Sequence, residues 1–176
     1  MSELYDRIIA ERGAMPKIVE RIPGFAGYLD LAARRAADRM IREHVAGEIG
    51  QRIQRLIASQ KRLLDREGGL TYMSAMESAR VQWQTFHDRV VSAAPGYSGF
   101  FALNRIDAHD LESIYSFDEA LIRYTEQFDG ALATLDEAIA AEGDVRSAIQ
   151  GLEKLAVEAN EALSLRENVI TGVTNK

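Results

Sequence analysis

Between Leu111 and Ile139 the chain places Leu111, Ile114, Phe117, Leu121, Tyr124, Phe128, Leu132, Leu135 and Ile139 at steps of 3, 3, 4, 3, 4, 4, 3 and 4. That spacing holds one apolar stripe on a single face of an α-helix; a strand cannot use it, because its side chains alternate faces every second residue. The helix predicted over 107–142 opens at Asp107, a residue type that caps free backbone N–H groups, with Asp110 and Glu112 in the first turn to complement the helix dipole. A one-faced helix of this length has to be covered by others. The chain is therefore committed to a helical bundle.

Other segments supply the cover. From Gly24 to Arg66 no proline interrupts the sequence, which predicts a single long helix of roughly 60 Å. Its first part is thin (Ala32, Ala33, Ala36, Ala37), and an apolar stripe then runs from Met40 and Ile41 through Val45, Ile49, Ile53 and Leu56 to Leu63 and Leu64. Gly47 and Gly50 each cost about 1 kcal/mol relative to alanine inside a helix, and mark a bend or a close crossing. Gly68-Gly69 ends it. Over 71–93 a heptad seam follows, with Tyr72, Met76, Ala79, Trp83, Phe86 and Val90 at steps of 4, 3, 4, 3 and 4. The turn Gly143-Asp144 leads into a helix over 144–168, and so short a connection makes it an antiparallel neighbour of 107–142. The tail NVITGVTNK loses the period and is expected to fray. Residues 1–22 form a separate short amphipathic segment carrying Leu4, Ile8, Met15, Ile18 and Ile22, divided by Gly13 and Pro16. The expected fold is all-α: an elongated antiparallel bundle over 23–176 of about five helices in all, with coiled-coil character.

Charge is segregated along the chain. Residues 1–106 are net +4 and residues 107–176 net −10, giving −6 for the 176 residues. The simplest account packs a basic long helix beside acidic ones; the alternative is an acidic surface for a basic partner. Nucleic acid is excluded as a partner, because phosphate binding needs a basic stripe and the acidic half would repel it. The chain has no cysteine, which removes disulfides, thiolate metal sites and cysteine nucleophiles and fits a cytoplasmic protein. MSELYDRIIAER interrupts any apolar leader with charge, and no stretch of eighteen apolar residues occurs.

The sequence carries no recognisable catalytic constellation. Di-iron bundles need Glu three residues before His, but Ile41, Gln84 and Ile106 precede His44, His87 and His109 at that distance. His44 and His87 could face each other, yet lack placed carboxylates. There is no phosphate loop, and Ser98 in Gly-Tyr-Ser-Gly lies one residue short of a nucleophile elbow with no strand before it. The sequence thus predicts no catalytic residue, no cofactor, no metal and no enzyme. The candidate functional surface is the irregular stretch APGYSGFFALNRI over 94–106. Its Tyr97, Phe100, Phe101, Leu103 and Ile106 either plug the end of the bundle or form a partner-binding loop.

The phrase Gly96-Tyr97-Ser98-Gly99-Phe100-Phe101, then Leu111 and Ile114-Tyr115-Ser116-Phe117-Asp118, with Ile22-Pro23-Gly24-Phe25-Ala26-Gly27-Tyr28 before a basic helix, resembles an uncharacterised bacterial family of small helical proteins. The resemblance covers about residues 22–140 and brings no activity with it. In architecture the chain is also similar to the helical membrane-stress proteins of the phage-shock class, which carry an amphipathic N-terminal segment before long coiled-coil helices. The expected function is a non-enzymatic interaction or assembly protein, an adaptor or scaffold. It would engage a protein partner or a second copy through the overhang of the long helix and the 97–106 loop. The alternative is peripheral attachment to a membrane surface through the N-terminal helix.

Overall fold

In the computed structural model, residues 2–93 and 97–175 are described, and among them lie six α-helices and no strand. They are α1 (Glu3–Ile9), α2 (Ala14–Arg21), α3 (Arg34–Leu64), α4 (Met73–Ser92), α5 (Ala108–Ala140) and α6 (Val145–Thr174). The Asp107 carboxylate caps α5 by accepting the Asp110 N–H at 2.8 Å, and Asp144 caps α6 by accepting from Ser147. The all-α bundle expected from the periodicity is the observed fold. Six helices replace five because Gly13, with φ +74°, separates α1 from α2.

In cross-section the four long helices lie in the order α3, α4, α6, α5. Chain neighbours α3–α4 and α5–α6 are antiparallel. The connection from α4 to α5 spans the diagonal, so that α3 runs parallel to α5 and α4 parallel to α6. Trp83, the only tryptophan, sits at the centre: its ring stacks on Phe128 with centroids 3.8 Å apart, and its N–H donates to the Leu152 carbonyl at 3.1 Å. The helix pair α1–α2 lies on the outer face of α5. This explains why Asp110 to Ile122, apart from Glu112, is buried around the whole helix, while lower down only one face of α5 is covered.

The basic face of α3 meets the acidic face of α5. Asp129 binds Arg55 and lies 3.8 Å from Arg52, Asp136 binds Arg62 at 2.6 Å, and Glu142 lies 3.7 Å from Arg66. The charge segregation read along the sequence thus becomes a helix–helix contact.

The long helix begins at Arg34 instead of Gly24. Gly24 and Gly27 adopt φ of +86° and +77°, and Asp30 starts the turn by accepting the Ala32 N–H on its side chain and the Arg34 N–H on its carbonyl. Residues 22–33 are spent folding Phe25 and Tyr28 into the core. With 31 residues, α3 is about 46 Å long, shorter than α5 with 33 and only one residue longer than α6 with 30. The overhang expected to engage a partner does not exist. At the other end of the chain, α6 continues to Thr174, and Ile170 and Val173 are buried where fraying was expected.

Candidate functional site

Three places merit a functional reading: the aromatic loop, a sealed charged cluster beneath it, and an open groove at the far end of α5 and α6.

The loop turns its aromatic residues inward. Tyr97, Phe100 and Phe101 are buried, and Leu103 and Ile106 are half-buried. Phe100 meets the Tyr28 ring edge-on, with centroids 5.5 Å apart, and Gly99 lies so close to Thr174 that a Cβ there would collide with it. Of the two alternatives for 97–106, the plug is what these residues form; the exposed cluster needed for a docking tip is not present among them. Residues 94–96 lie outside the described residues.

Beneath the plug, α6 contributes Arg166, only 1% exposed. Its Nε donates to the Asp118 carboxylate of α5 at 2.6 Å, and its Nη2 to Asp38 of α3 at 3.2 Å and to the Tyr28 hydroxyl at 3.3 Å. Tyr28 in turn donates to Asp118 at 2.7 Å, and Arg42 donates to the second oxygen of Asp38 at 2.8 Å. The Tyr97 ring covers the Arg166 guanidinium at 5.3 Å. Arg34, equally buried, spans the two connecting segments by donating to the carbonyls of Tyr28, Phe100 and Leu103. Burial pushes the Asp118 carboxyl above its ordinary value, with Arg166 and Tyr28 pulling it back in part. Burial opposes the charge on Arg166, but Asp118, Tyr28, Tyr97 and Asp38 outweigh it and hold the guanidinium ionised.

Perturbed groups clustered this way often mark an active site. Here Asp38 and Asp118 are 0% exposed, so a substrate cannot touch them. The cluster ties three of the four long helices to two connecting segments.

Sequence reasoning missed these residues, although a signal was present. Asp38 falls three residues before Ile41, and Arg166 three after Leu163, so each sits on an apolar stripe where a charge needs a partner.

Among the described residues, the serine hydroxyls and histidines sit in separate surroundings. Ser113 donates to the His109 carbonyl at 3.0 Å and Ser116 to the Glu11 carbonyl at 3.4 Å, so neither hydroxyl is aligned by an imidazole. His87 packs near Gly50 and pairs with Asp88 at 2.9 Å, whereas His44 shares its surroundings with Arg21, Glu48, Arg52 and Glu126. The facing pair that the sequence allowed is not formed. Among the described residues no group of three or more His, Asp or Glu could hold a metal ion.

At the far end, the α1–α2 cover stops and α5 and α6 leave a groove of about 780 Å³ between them, wide open to solvent. Its floor is made of small and apolar side chains, including Ala131, Ala138, Ala148, Gly151 and Leu155. Among the described residues, its charged lining residues are Glu137 and Asp144. Gln127 and Leu155 also border the space beside α1, so the groove continues the one in which α1 lies. There α1 shows how a helix is held: Leu4 and Ile8 are buried, and Arg7 donates to Glu158 of α6 at 2.9 Å. The apolar face of the N-terminal segment is thus packed on the bundle, with Ala14, Ile18 and Ile22 of the second part buried as well.

Among the described residues no helix is long and apolar enough to cross a membrane. No protein-family model matches the chain, and comparison with curated proteins and with solved structures gives no match, in keeping with a resemblance that carries no activity.

Proposed function

We infer that this chain is a non-enzymatic helical interaction module, an adaptor or assembly protein, that docks a partner in the open half of the α5–α6 groove. The observation that carries this reading is the division of one groove into a half filled by α1 and a half left empty. An uncovered floor of alanines, glycine and leucine between two helices is the shape into which a helix packs, ridge into groove. The non-enzymatic reading is supported by the sealing of the Arg166 cluster, the most strongly perturbed ionisable groups, away from solvent. The expected docking loop at 97–106 gives way to this groove, since its aromatics serve the core.

A photo-crosslinking amino acid placed at Gly151, on the groove floor, and at exposed Val81 on α4 tests the reading in the source cells. A discrete protein crosslinked from position 151 and absent from position 81 is expected. Equal crosslinking from both positions, or none from either, refutes the groove as a docking surface.

A further inference from the structure

The groove has a chemistry as well as a shape. Glu137 and Asp144 line it, and among the described residues no lysine or arginine does. The Asp144 carboxyl is held below its ordinary value by hydrogen bonds from the Ser147 N–H and hydroxyl, so it is ionised at neutral pH. An isologous pair of grooves would bring two such acidic sets together, and like charges across an interface are disfavoured. A second copy bound groove to groove is therefore the poorer occupant. A small molecule is poorer too, since the groove is open to solvent while small-molecule sites bury most of their ligand. The adjoining seat supplies the positive argument. There α1 inserts Leu4 and Ile8, spaced i and i+4, and sets Arg7 on a carboxylate of α6.

We propose that the empty half of the α5–α6 groove binds an amphipathic helix of a partner protein that carries lysine or arginine beside its apolar stripe. The partner repeats what α1 does next door: apolar residues at i and i+4 enter between Ala138 and Leu155, and a basic residue pairs with Glu137. Position 151 faces open space, since a Cβ placed there meets no atom within 4 Å. The same open space makes Gly151→Trp a groove-filling variant that leaves the internal packing of the bundle alone.

This inference rests on the groove being the docking surface, and it is tested on the full-length chain with synthetic probes. Two helical peptides of about 18 residues share one leucine–alanine stripe, flanked in one by lysine and arginine and in the other by glutamate. That length spans the roughly 21 Å from Gln127 to Ala141 along α5. The cationic peptide should shift backbone amide resonances along 131–155, and the acidic one should not bind. Glu137→Lys should weaken the cationic peptide about tenfold, and Gly151→Trp should abolish its binding with the melting temperature unchanged or raised, since it removes a glycine from a helix interior.

Binding of both peptides alike, or binding of the cationic peptide that survives Gly151→Trp, overturns the proposal, as does no binding at all. A dimer on sedimentation that Gly151→Trp dissociates overturns it in favour of a second copy. An acidic or uncharged helix crosslinked in cells from position 151 refutes the charge preference while leaving the docking role intact.

Discussion

Removing the Arg166 side chain charge while keeping its bulk, as in Arg166→Met, leaves two buried carboxylates short of a donor. Asp118 keeps only the Tyr28 hydroxyl, and Asp38 keeps only Arg42. Breaking a buried pair by deleting one partner costs about 3–5 kcal/mol, so a value near 4 is expected, with a fall in Tm of roughly 8–16 °C for a chain of this size. Asp118→Asn keeps an acceptor for Tyr28 but sets an amide against the guanidinium, at a cost of about 2 kcal/mol. Combined, the two changes remove a positive and a negative charge together. The amide oxygen at position 118 still accepts from Tyr28, and Asp38 still holds Arg42. The double variant should then be no worse than Arg166→Met alone, a coupling of about 2 kcal/mol. Urea unfolding followed by Trp83 fluorescence and by far-UV circular dichroism measures all four proteins; coincident transitions and a constant m value are required for the comparison. Additive costs within about 0.5 kcal/mol would refute the argument that one ion-pair network, and not separate contacts, holds this end of the bundle.

Two further outcomes follow from hydroxyl and imidazole environments. Among the described residues the Tyr97 hydroxyl has no hydrogen-bond partner at ordinary geometry, with only the Arg166 guanidinium near it, whereas that of Tyr28 bonds a carboxylate. Tyr97→Phe should therefore leave the urea midpoint unchanged or raise it, while Tyr28→Phe should cost about 1.5–3 kcal/mol; equal losses would contradict this assignment. Burial depresses the His44 pKa, aided by Arg52 and Arg21 and opposed by Glu48 and Glu126. The folded state then binds fewer protons than the unfolded one, so stability from this group is complete above the unfolded value of about 6.5 and is lost as pH falls through it. His44→Gln should flatten the decline of the urea midpoint below pH 6.5, and an unchanged slope would count against it.

The helices were legible wherever a stripe held its period on one face. The seam of α4, from Met76 to Val90, and that of α5 needed nothing beyond spacing, since the stripe residues of each face the bundle core. What escaped was every place where a charge took a core position. Counted as a core residue, Arg166 restores the period of α6: Leu163, Arg166, Ile170 and Val173 step by 3, 4 and 3, and the tail no longer looks frayed. The segment from Tyr28 to Ala33 has helix-forming composition, but Tyr28 gains more by reaching Asp118 than by joining a helical turn, a contact made 90 residues away that local pattern cannot see. The single stripe read for α5 left off-stripe Tyr115, Ala120 and Ile122 unused; they are buried because α1 and α2 cover a second face. The groove was invisible for the opposite reason. Alanine and glycine on a helix surface read as neutral until two such faces stand side by side.

The diagonal step from α4 to α5 has a consequence for how chains of this fold can vary in length. A connection between adjacent helices runs around the rim, and extra residues there bulge into solvent. A connection across the diagonal passes over the open end of the core and must bury whatever it carries, here Tyr97, Phe100 and Phe101 under the guidance of Arg34. Insertions and tags therefore belong at the opposite end, in the α3–α4 turn at Glu67 and Gly68, which are exposed and stand clear of the groove that Gly143 and Asp144 line. The α3–α4 turn is free to be edited; the diagonal connection is part of the interior.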